Sequence, residues 1–122
     1  MKTIMVVDDS IVMRNIVKNT FKMLNIPSQY LEAEDGVRAL QLLENNKVDL
    51  ILLDWNMPNM DGMEFLKRIR AKPEYENLPV IMVTSESARY SVVEALQNGA
   101  SDYIVKPIHE KILMKKLYEI TF

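Results

Sequence analysis

Six side chains able to share one piece of chemistry each follow directly on a short apolar run. Asp8 and Asp9 follow Ile4–Val7, Asp54 follows Leu50–Leu53, Thr84 and Ser85 follow Val80–Val83, and Lys106 follows Tyr103–Val105. Three carboxylates brought into one pocket repel. At about 5 Å and an effective dielectric near 20, one pair costs on the order of 3 kcal/mol. A hard divalent cation relieves this, and oxygen ligands with no Cys or His beside them favour Mg²⁺ over zinc. Such an ion keeps several waters and takes one or two carboxylates plus a phosphate oxygen. Lys106 and Thr84 offer the other half of the site, an ammonium and a hydroxyl suited to phosphoryl oxygens. A carboxylate beside them can act as the nucleophile in phosphoryl transfer and form an acyl phosphate. Asp54 is that nucleophile in our reading, because it ends the central run with the other groups on either side.

These groups meet only if the apolar runs are strands of one parallel sheet. The runs alternate with longer segments of helical period, which suggests βα units. Met13, Val17, Phe21 and Leu24 form the stripe of a first helix, and Ala39, Leu40 and Leu43 that of a second, preceded by Asp35-Gly36. Asp61-Gly-Met-Glu64 resembles a capping box opening a third helix that buries Met63, Leu66 and Ile69. A fourth, with Val92 and Leu96, stops at Asn98-Gly99, where glycine tolerates a left-handed conformation. A fifth carries Ile112, Leu113, Leu117 and Ile120. With a weaker run at Tyr30–Leu31, the count is five βα units in one domain, residues 1–122. The continuous aliphatic runs suit strands covered on both faces, whereas Gln29–Glu32 and Asp102–Val105 suit edges. The resulting expectation is an α/β fold with a five-stranded parallel sheet, order 2-1-3-4-5, and five helices on both faces. Right-handed crossovers put all the strand ends on one edge, where ligands bind in such sheets.

Composition narrows the field of functions. The chain has 122 residues, 48% hydrophobic and 26% charged, with a net charge of −2, so no basic field draws it to nucleic acid or anionic lipid. The absence of cysteine excludes a disulfide framework and a thiol nucleophile. Only four consecutive apolar residues precede the first aspartates and no membrane span is legible, so a soluble cytoplasmic protein is expected. Neither GxGxxG nor GxxxxGK[ST] is present. Taken singly, Asp8 and Asp9 could cap the first helix, Asp54 could be a turn residue and Lys106 a loop lysine. Their joint occurrence at strand ends favours the site. The lone His109 makes a poor metal site. The nine methionines fill core gaps, and the Lys67, Arg68, Arg70 and Lys72 face is solvated.

The motifs that carry this chemistry resemble those of response-regulator receiver domains, most closely the single-domain CheY-like chemotaxis regulators. They are Val7-Asp8-Asp9-Ser10 with Met13-Arg14, the stretch Leu53-Asp54-Trp-Asn-Met-Pro-Asn-Met-Asp-Gly62, Val83-Thr84-Ser85-Glu86, and Tyr103-Ile-Val-Lys106-Pro107. They run through essentially the whole chain. The 2-1-3-4-5 order is also this family's, so the two agree without being independent. Ile108 stands where the chemotaxis proteins commonly carry Phe, and Ser87–Tyr90 is idiosyncratic.

The resemblance implies roles residue by residue. Asp54 would accept a phosphoryl group from a histidine kinase. Asp9 would bind Mg²⁺ directly and Asp8 through water, with Asp54 and the Asn56 backbone carbonyl as further ligands. Lys106 would pair with Asp54 and then with the phosphoryl group. Thr84 would swing inward, and Tyr103 would follow from an exposed to a buried rotamer. Asn56 and Glu86 would flank the hydrolytic water, Ser85 would leave the phosphate reachable, and Lys106–Pro107 would be cis. The chain would not be an enzyme acting on a separate substrate, although it would catalyse its own phosphorylation and dephosphorylation. Its output would be the surface of helix 4, strand 5 and helix 5, offered to a target protein with no effector domain in the chain. The implied partners are a histidine kinase, the flagellar motor switch protein as target, and a phosphatase, acting on a monomer. Two other functions compete: a phosphorelay or other regulatory receiver with a different target, and a Mg²⁺-dependent aspartyl-phosphate phosphohydrolase. The second typically places an acid two residues after the nucleophile, where this chain has Asn56.

Overall fold

The computed structural model describes residues 1–120; the last two residues, at the end of the expected single domain, lie outside the described residues. Five strands alternate with five helices: β1 (Lys2–Val7), α1 (Ile11–Met23), β2 (Ser28–Ala33), α2 (Gly36–Asn45), β3 (Leu50–Leu53), α3 (Gly62–Arg70), β4 (Val80–Thr84), α4 (Arg89–Gln97), β5 (Asp102–Val105) and α5 (Glu110–Glu119). A 3₁₀ turn, Pro73–Tyr75, precedes β4. All pairings are parallel, and the strand order is β2-β1-β3-β4-β5, as expected. The three central strands are buried along almost their whole length, whereas β2 is largely half-exposed, the pattern of an edge.

The period of two along each strand divides the core. Ile4, Val6, Leu50, Leu52, Ile81 and Val83 face Val17 and Phe21 of α1 and Leu113 of α5. Met5, Val7, Ile51, Leu53, Val80 and Met82 face the other layer, with Ala39 and Leu43 of α2, Phe65, Leu66 and Ile69 of α3, and Ala95 of α4. Met60 and Met63 are buried in that layer and Met57 packs against it, the gap-filling role read for the methionines.

Short polar side chains open three helices. Ser10 Oγ accepts from Met13 N–H at 3.2 Å, Asp35 Oδ1 from Arg38 N–H at 2.8 Å, and Asp61 Oδ1 from Glu64 N–H at 2.9 Å. Because Ser10 caps α1, Asp8 and Asp9 are released from the capping role that either could have filled. Gly99 takes φ 103° after α4, as its position after Asn98 predicts.

Three core assignments need correction. Leu96 and Ile112 are 44% and 41% exposed, while Phe65 is fully buried. Helix α4 packs through the small residues Ser91 and Ala95, and Leu96, the next residue along, is carried about 100° round the helix towards solvent. Ile112 and Leu113 divide in the same way on α5. Phe65 completes the buried stripe of α3 with Gly62, Leu66 and Ile69, at spacings of three and four. Among the described residues, no helix is long and apolar enough to cross a membrane.

An acidic cluster at the carboxyl ends of the strands

The strand ladder itself delivers the side chains. Val7 pairs with Leu53, and the hydrogen bonding continues one residue further, with Asp54 N–H on Val7 O at 2.9 Å and Asp8 N–H on Ala33 O at 3.0 Å. Thr84 is the last residue of β4 and pairs with Val105; Lys106 N–H then donates to Thr84 O at 2.9 Å. Asp8, Asp54, Thr84 and Lys106 therefore leave one sheet edge side by side.

Carboxylate oxygens of Asp8, Asp9 and Asp54 lie within 4.8 Å of one another. Lys106 Nζ bridges two of these residues, 2.8 Å from Asp8 Oδ2 and 3.2 Å from Asp54 Oδ2. Its partner is thus the pair, with the shorter contact to Asp8, rather than Asp54 alone. The remaining oxygens are held by amides: Asp54 Oδ1 accepts from Trp55 N–H at 2.8 Å, and Asp8 Oδ1 from Ser10 N–H at 2.9 Å. Asp9 is exposed, and its carboxylate has no protein hydrogen bond or ion pair among the described residues.

Burial pushes the Asp54 carboxyl above the ordinary carboxylate range, and the charge of Asp8 adds to that; Lys106 and the Thr84 hydroxyl oppose it. For Lys106, burial works against the ammonium, but the Asp8 hydrogen bond and the charges of both aspartates more than offset it and raise its pKa. One ammonium is thus shared between two carboxylates. An all-oxygen donor set, with one carboxylate facing water and two partly neutralised, suits a hard divalent ion and not a soft one.

Around this centre lie the other residues picked out in the sequence. Thr84 is fully buried, and its Oγ1 accepts from Glu86 N–H at 3.4 Å. Tyr103 is buried, and its hydroxyl donates to Glu86 O at 2.6 Å. Of the two rotamers the resemblance implies, this is the inward one. Burial, with the charges of Glu86 and Asp54, pushes the Tyr103 phenol up to about 12, so it remains a donor at neutral pH. Asn56 Nδ2 donates to Glu86 Oε1 at 3.2 Å across the mouth of the cluster, and Ser85 beside it is exposed. The Lys106–Pro107 bond is cis. His109 is exposed and makes no side-chain cap.

Three features of the site escaped the sequence reading. The loop between β3 and α3 is strapped to α2 by Asn59 Nδ2 donating to Asp35 Oδ2 at 2.7 Å and by Gly36 N–H on Met60 O at 2.9 Å. Asn59 takes a positive φ of 67°, which asparagine tolerates and most residues do not. Gly62 starts α3 so close to Asp54 that a Cβ there would lie 2.1 Å from the Asp54 carbonyl oxygen. Arg14 Nη1 donates to Asp8 O at 2.7 Å. Only Gly62, a glycine directly after the capping Asp61, carries a signal that spacing could have used.

Comparison with known proteins agrees with this geometry. The family model described as response regulator receiver domain matches residues 4–118. A chemotaxis protein CheY homolog of Campylobacter jejuni is 46% identical over 118 residues, covering 96% of this chain and 90% of its own. Chemotaxis protein CheY-3 of Vibrio cholerae is 44% identical over 117 residues, 96% of this chain and 89% of its own. Among solved structures, V. cholerae chemotaxis protein CheY4 superposes with a TM-score of 0.88 at 33% identity, covering 99% of each chain. The Mn²⁺-bound form of response regulator Rcp1 superposes at 0.81 and 30% identity, covering 94% of this chain and 88% of that one. With its motifs, its strand order and its acidic edge all in the same register, this chain belongs to the response-regulator receiver domain family and is CheY-like along nearly its whole length.

Proposed function

We propose that this chain is a phosphorylation-controlled binding switch in which Asp54 receives a phosphoryl group from the phosphohistidine of a histidine kinase. Receiver domains use a divalent metal in an acidic pocket, and the Asp8, Asp9 and Asp54 cluster is this chain's counterpart. The observation that carries the reading is the position of Lys106 Nζ, within 3.2 Å of both Asp8 and Asp54, beside the exposed Asp9. As the resemblance implies, Asp9, Asp54 and the Asn56 carbonyl would hold Mg²⁺, with Asp8 acting through water. When bound, the ion supplies positive charge to the phosphoryl oxygens. That a structural neighbour, response regulator Rcp1, has a Mn²⁺-bound form supports a hard divalent ion as ligand.

In the transfer, an Asp54 carboxylate oxygen attacks phosphorus and the phosphorus–nitrogen bond to the donor imidazole breaks. The imidazole leaves with the electron pair and takes a proton. Lys106 then exchanges an aspartate oxygen for a phosphoryl oxygen, and the Thr84 hydroxyl donates to another. Asn56 and Glu86, joined across the mouth, flank the line along which water attacks to reverse the modification, and exposed Ser85 leaves that line open. The chain thus catalyses changes to itself and turns over no separate substrate.

The modification adds close to two negative charges at one edge of the sheet. Its differential contacts with Thr84 and Lys106 favour one arrangement of the β4–α4 loop over another. Tyr103 couples that loop to β5 through its bond to the Glu86 carbonyl, so the α4–β5–α5 surface reports the state of Asp54. Similarity to chemotaxis proteins supports a role in chemotaxis; our reading extends this to the flagellar motor switch as target and the cytoplasm as location.

Trp55 adjoins Asp54 and is the only tryptophan, which makes it the reporter. Its fluorescence is expected to respond saturably to Mg²⁺, and then to beryllofluoride in wild type but not in Asp54→Asn. A beryllofluoride response that survives in Asp54→Asn, or no response to either addition, overturns the assignment. Capture of purified motor switch protein only in the presence of beryllofluoride would establish the target. Beryllofluoride-dependent fluorescence without capture would leave the receiver chemistry standing and reject the motor.

A further inference from the structure

Arg14 lies in the second turn of α1 with its side chain 15% exposed, and the fork of its guanidinium spans two elements. Nη1 donates to the Asp8 carbonyl at 2.7 Å, while Nε donates to Glu32 Oε1 at 3.0 Å. Lys18 Nζ takes the other oxygen of Glu32 at 2.9 Å. These two cations hold the Glu32 carboxyl below its ordinary range, the Lys18 hydrogen bond being the larger influence. Glu32 pairs in register with Val6, and the next residue of β2, Ala33, accepts the N–H of Asp8.

Asp8 is therefore held at four points. Its N–H is on Ala33 O, its carbonyl is on Arg14, one carboxylate oxygen is on Ser10 N–H, and the other is on Lys106. Asp9 has no such anchor of its own. Its direction relative to Asp8 and Asp54 is set by the peptide that joins it to Asp8, and the oxygen of that peptide is the atom that Arg14 holds. We propose that Arg14, anchored by Glu32, is the positioning residue of the divalent-ion site, acting through the Asp8–Asp9 peptide. This inference rests on the reading that Asp8, Asp9 and Asp54 hold the ion.

A competing account treats Arg14–Glu32–Lys18 as an ordinary ion-pair cluster joining α1 to β2, of small energetic consequence. The two accounts predict opposite signs. Removing a cation beside three carboxylates strengthens cation binding by Coulomb's law. Removing a group that orients a ligand weakens it, typically by 10- to 100-fold for such outer contacts. Lysine keeps the charge but offers one point donor instead of a planar fork, and cannot serve both acceptors in the same geometry.

The test is titration with Mn²⁺, a hard ion with the same oxygen preference, reading free ion by its electron paramagnetic resonance signal. Wild type, Arg14→Ala, Arg14→Lys, Lys18→Ala and Asp9→Asn are compared at a temperature where circular dichroism shows each folded. We expect Arg14→Ala to raise the Kd about tenfold. Arg14→Lys should raise it at least about threefold, and Lys18→Ala should stay within about twofold of wild type. If Arg14→Ala does not fold, Arg14→Lys decides alone. Arg14 variants that bind as tightly as wild type or more tightly, while Asp9→Asn loses binding, overturn the inference and leave the site intact. So does a Lys18→Ala effect equal to that of Arg14→Lys, since Lys18 does not touch Asp8. Wild type with no saturable binding, or Asp9→Asn equal to wild type, rejects the ion site itself and the inference with it.

Discussion

Asp54 is more easily protonated in the folded chain than in the unfolded one, because burial and Asp8 outweigh Lys106 and Thr84. A raised carboxylate pKa means that folding loses stability as pH rises from the unfolded value near 3.8 through the higher folded value. At neutral pH in chelator, the full penalty is present. Asp54→Asn removes it, leaves Asp8 to hold Lys106, and should raise stability by on the order of 1 kcal/mol in urea denaturation. The gain should shrink as pH falls through that window. Asp9→Asn should gain less, since the exposed Asp9 is screened by water. Neutral-pH stabilities that leave Asp54→Asn at or below wild type would show that Lys106 governs the cluster. The proposed phosphoacceptor is thus a residue whose ionised form the fold holds at a cost.

The elements around the cluster are fastened at their ends. Asp35 caps α2 and, with its other oxygen, holds Asn59 of the β3–α3 loop. These bonds, first from the Arg38 amide and then from Asn59, hold its pKa below the ordinary range. A depressed carboxylate pKa contributes stability that is complete above the unfolded value near 3.8 and disappears as pH falls through the folded value. Asp35→Ala should cost about 2 kcal/mol at pH 7, from the cap and the loop strap together. The gap to wild type should close in acid, a comparison that denaturation at several pH values makes directly. The start of α3 is less forgiving. A methyl group on Gly62 would meet the Asp54 backbone at 2.1 Å, whereas one on Gly36 would meet the buried Met60 side chain, 2.7 Å from its Cγ and 2.9 Å from its Cβ. Gly62→Ala should therefore cost about 3 kcal/mol and Gly36→Ala clearly less. Only the former should also shift the Mg²⁺ response of Trp55, because only it displaces Asp54.

At the scale of the molecule, the sheet separates two tasks. Below the carboxyl edge, two apolar layers hold strands whose registers cannot slip without turning core side chains outward. At that edge, the rigidity is used to keep like charges close. An ion that binds only the folded arrangement stabilises the whole chain by mass action. At ten times its Kd, Mg²⁺ should raise unfolding stability by about 1.4 kcal/mol, and Asp9→Asn should abolish the increase. Thermal melts at several Mg²⁺ concentrations check this. A rise that is the same in both proteins would place the bound ion elsewhere.

The sequence alone determined the order of elements, the edge and central strands, the cap at Asp61, and the residues that end each strand. These are local properties: apolar period, capping chemistry and chain order are all contained within stretches of a few residues. The resemblance to receiver domains extended this to individual roles because its motifs occur at those same ends. Core faces were legible where a helix carries one broad apolar stripe and misleading where it carries neighbours such as Ala95 and Leu96, or Leu113 and Ile112. Which neighbour turns inward depends on how closely each helix approaches the sheet. Only the tertiary structure decided that Ser10 and not an aspartate caps α1, that Lys106 bridges Asp8 and Asp54, and that Asn59 straps its loop to Asp35. It alone brought Arg14 to the Asp8 carbonyl. Lys106 and Asn59 reach acceptors tens of residues away in the chain, and in every case the choice among competing donors and acceptors is made by packing, which no local pattern records.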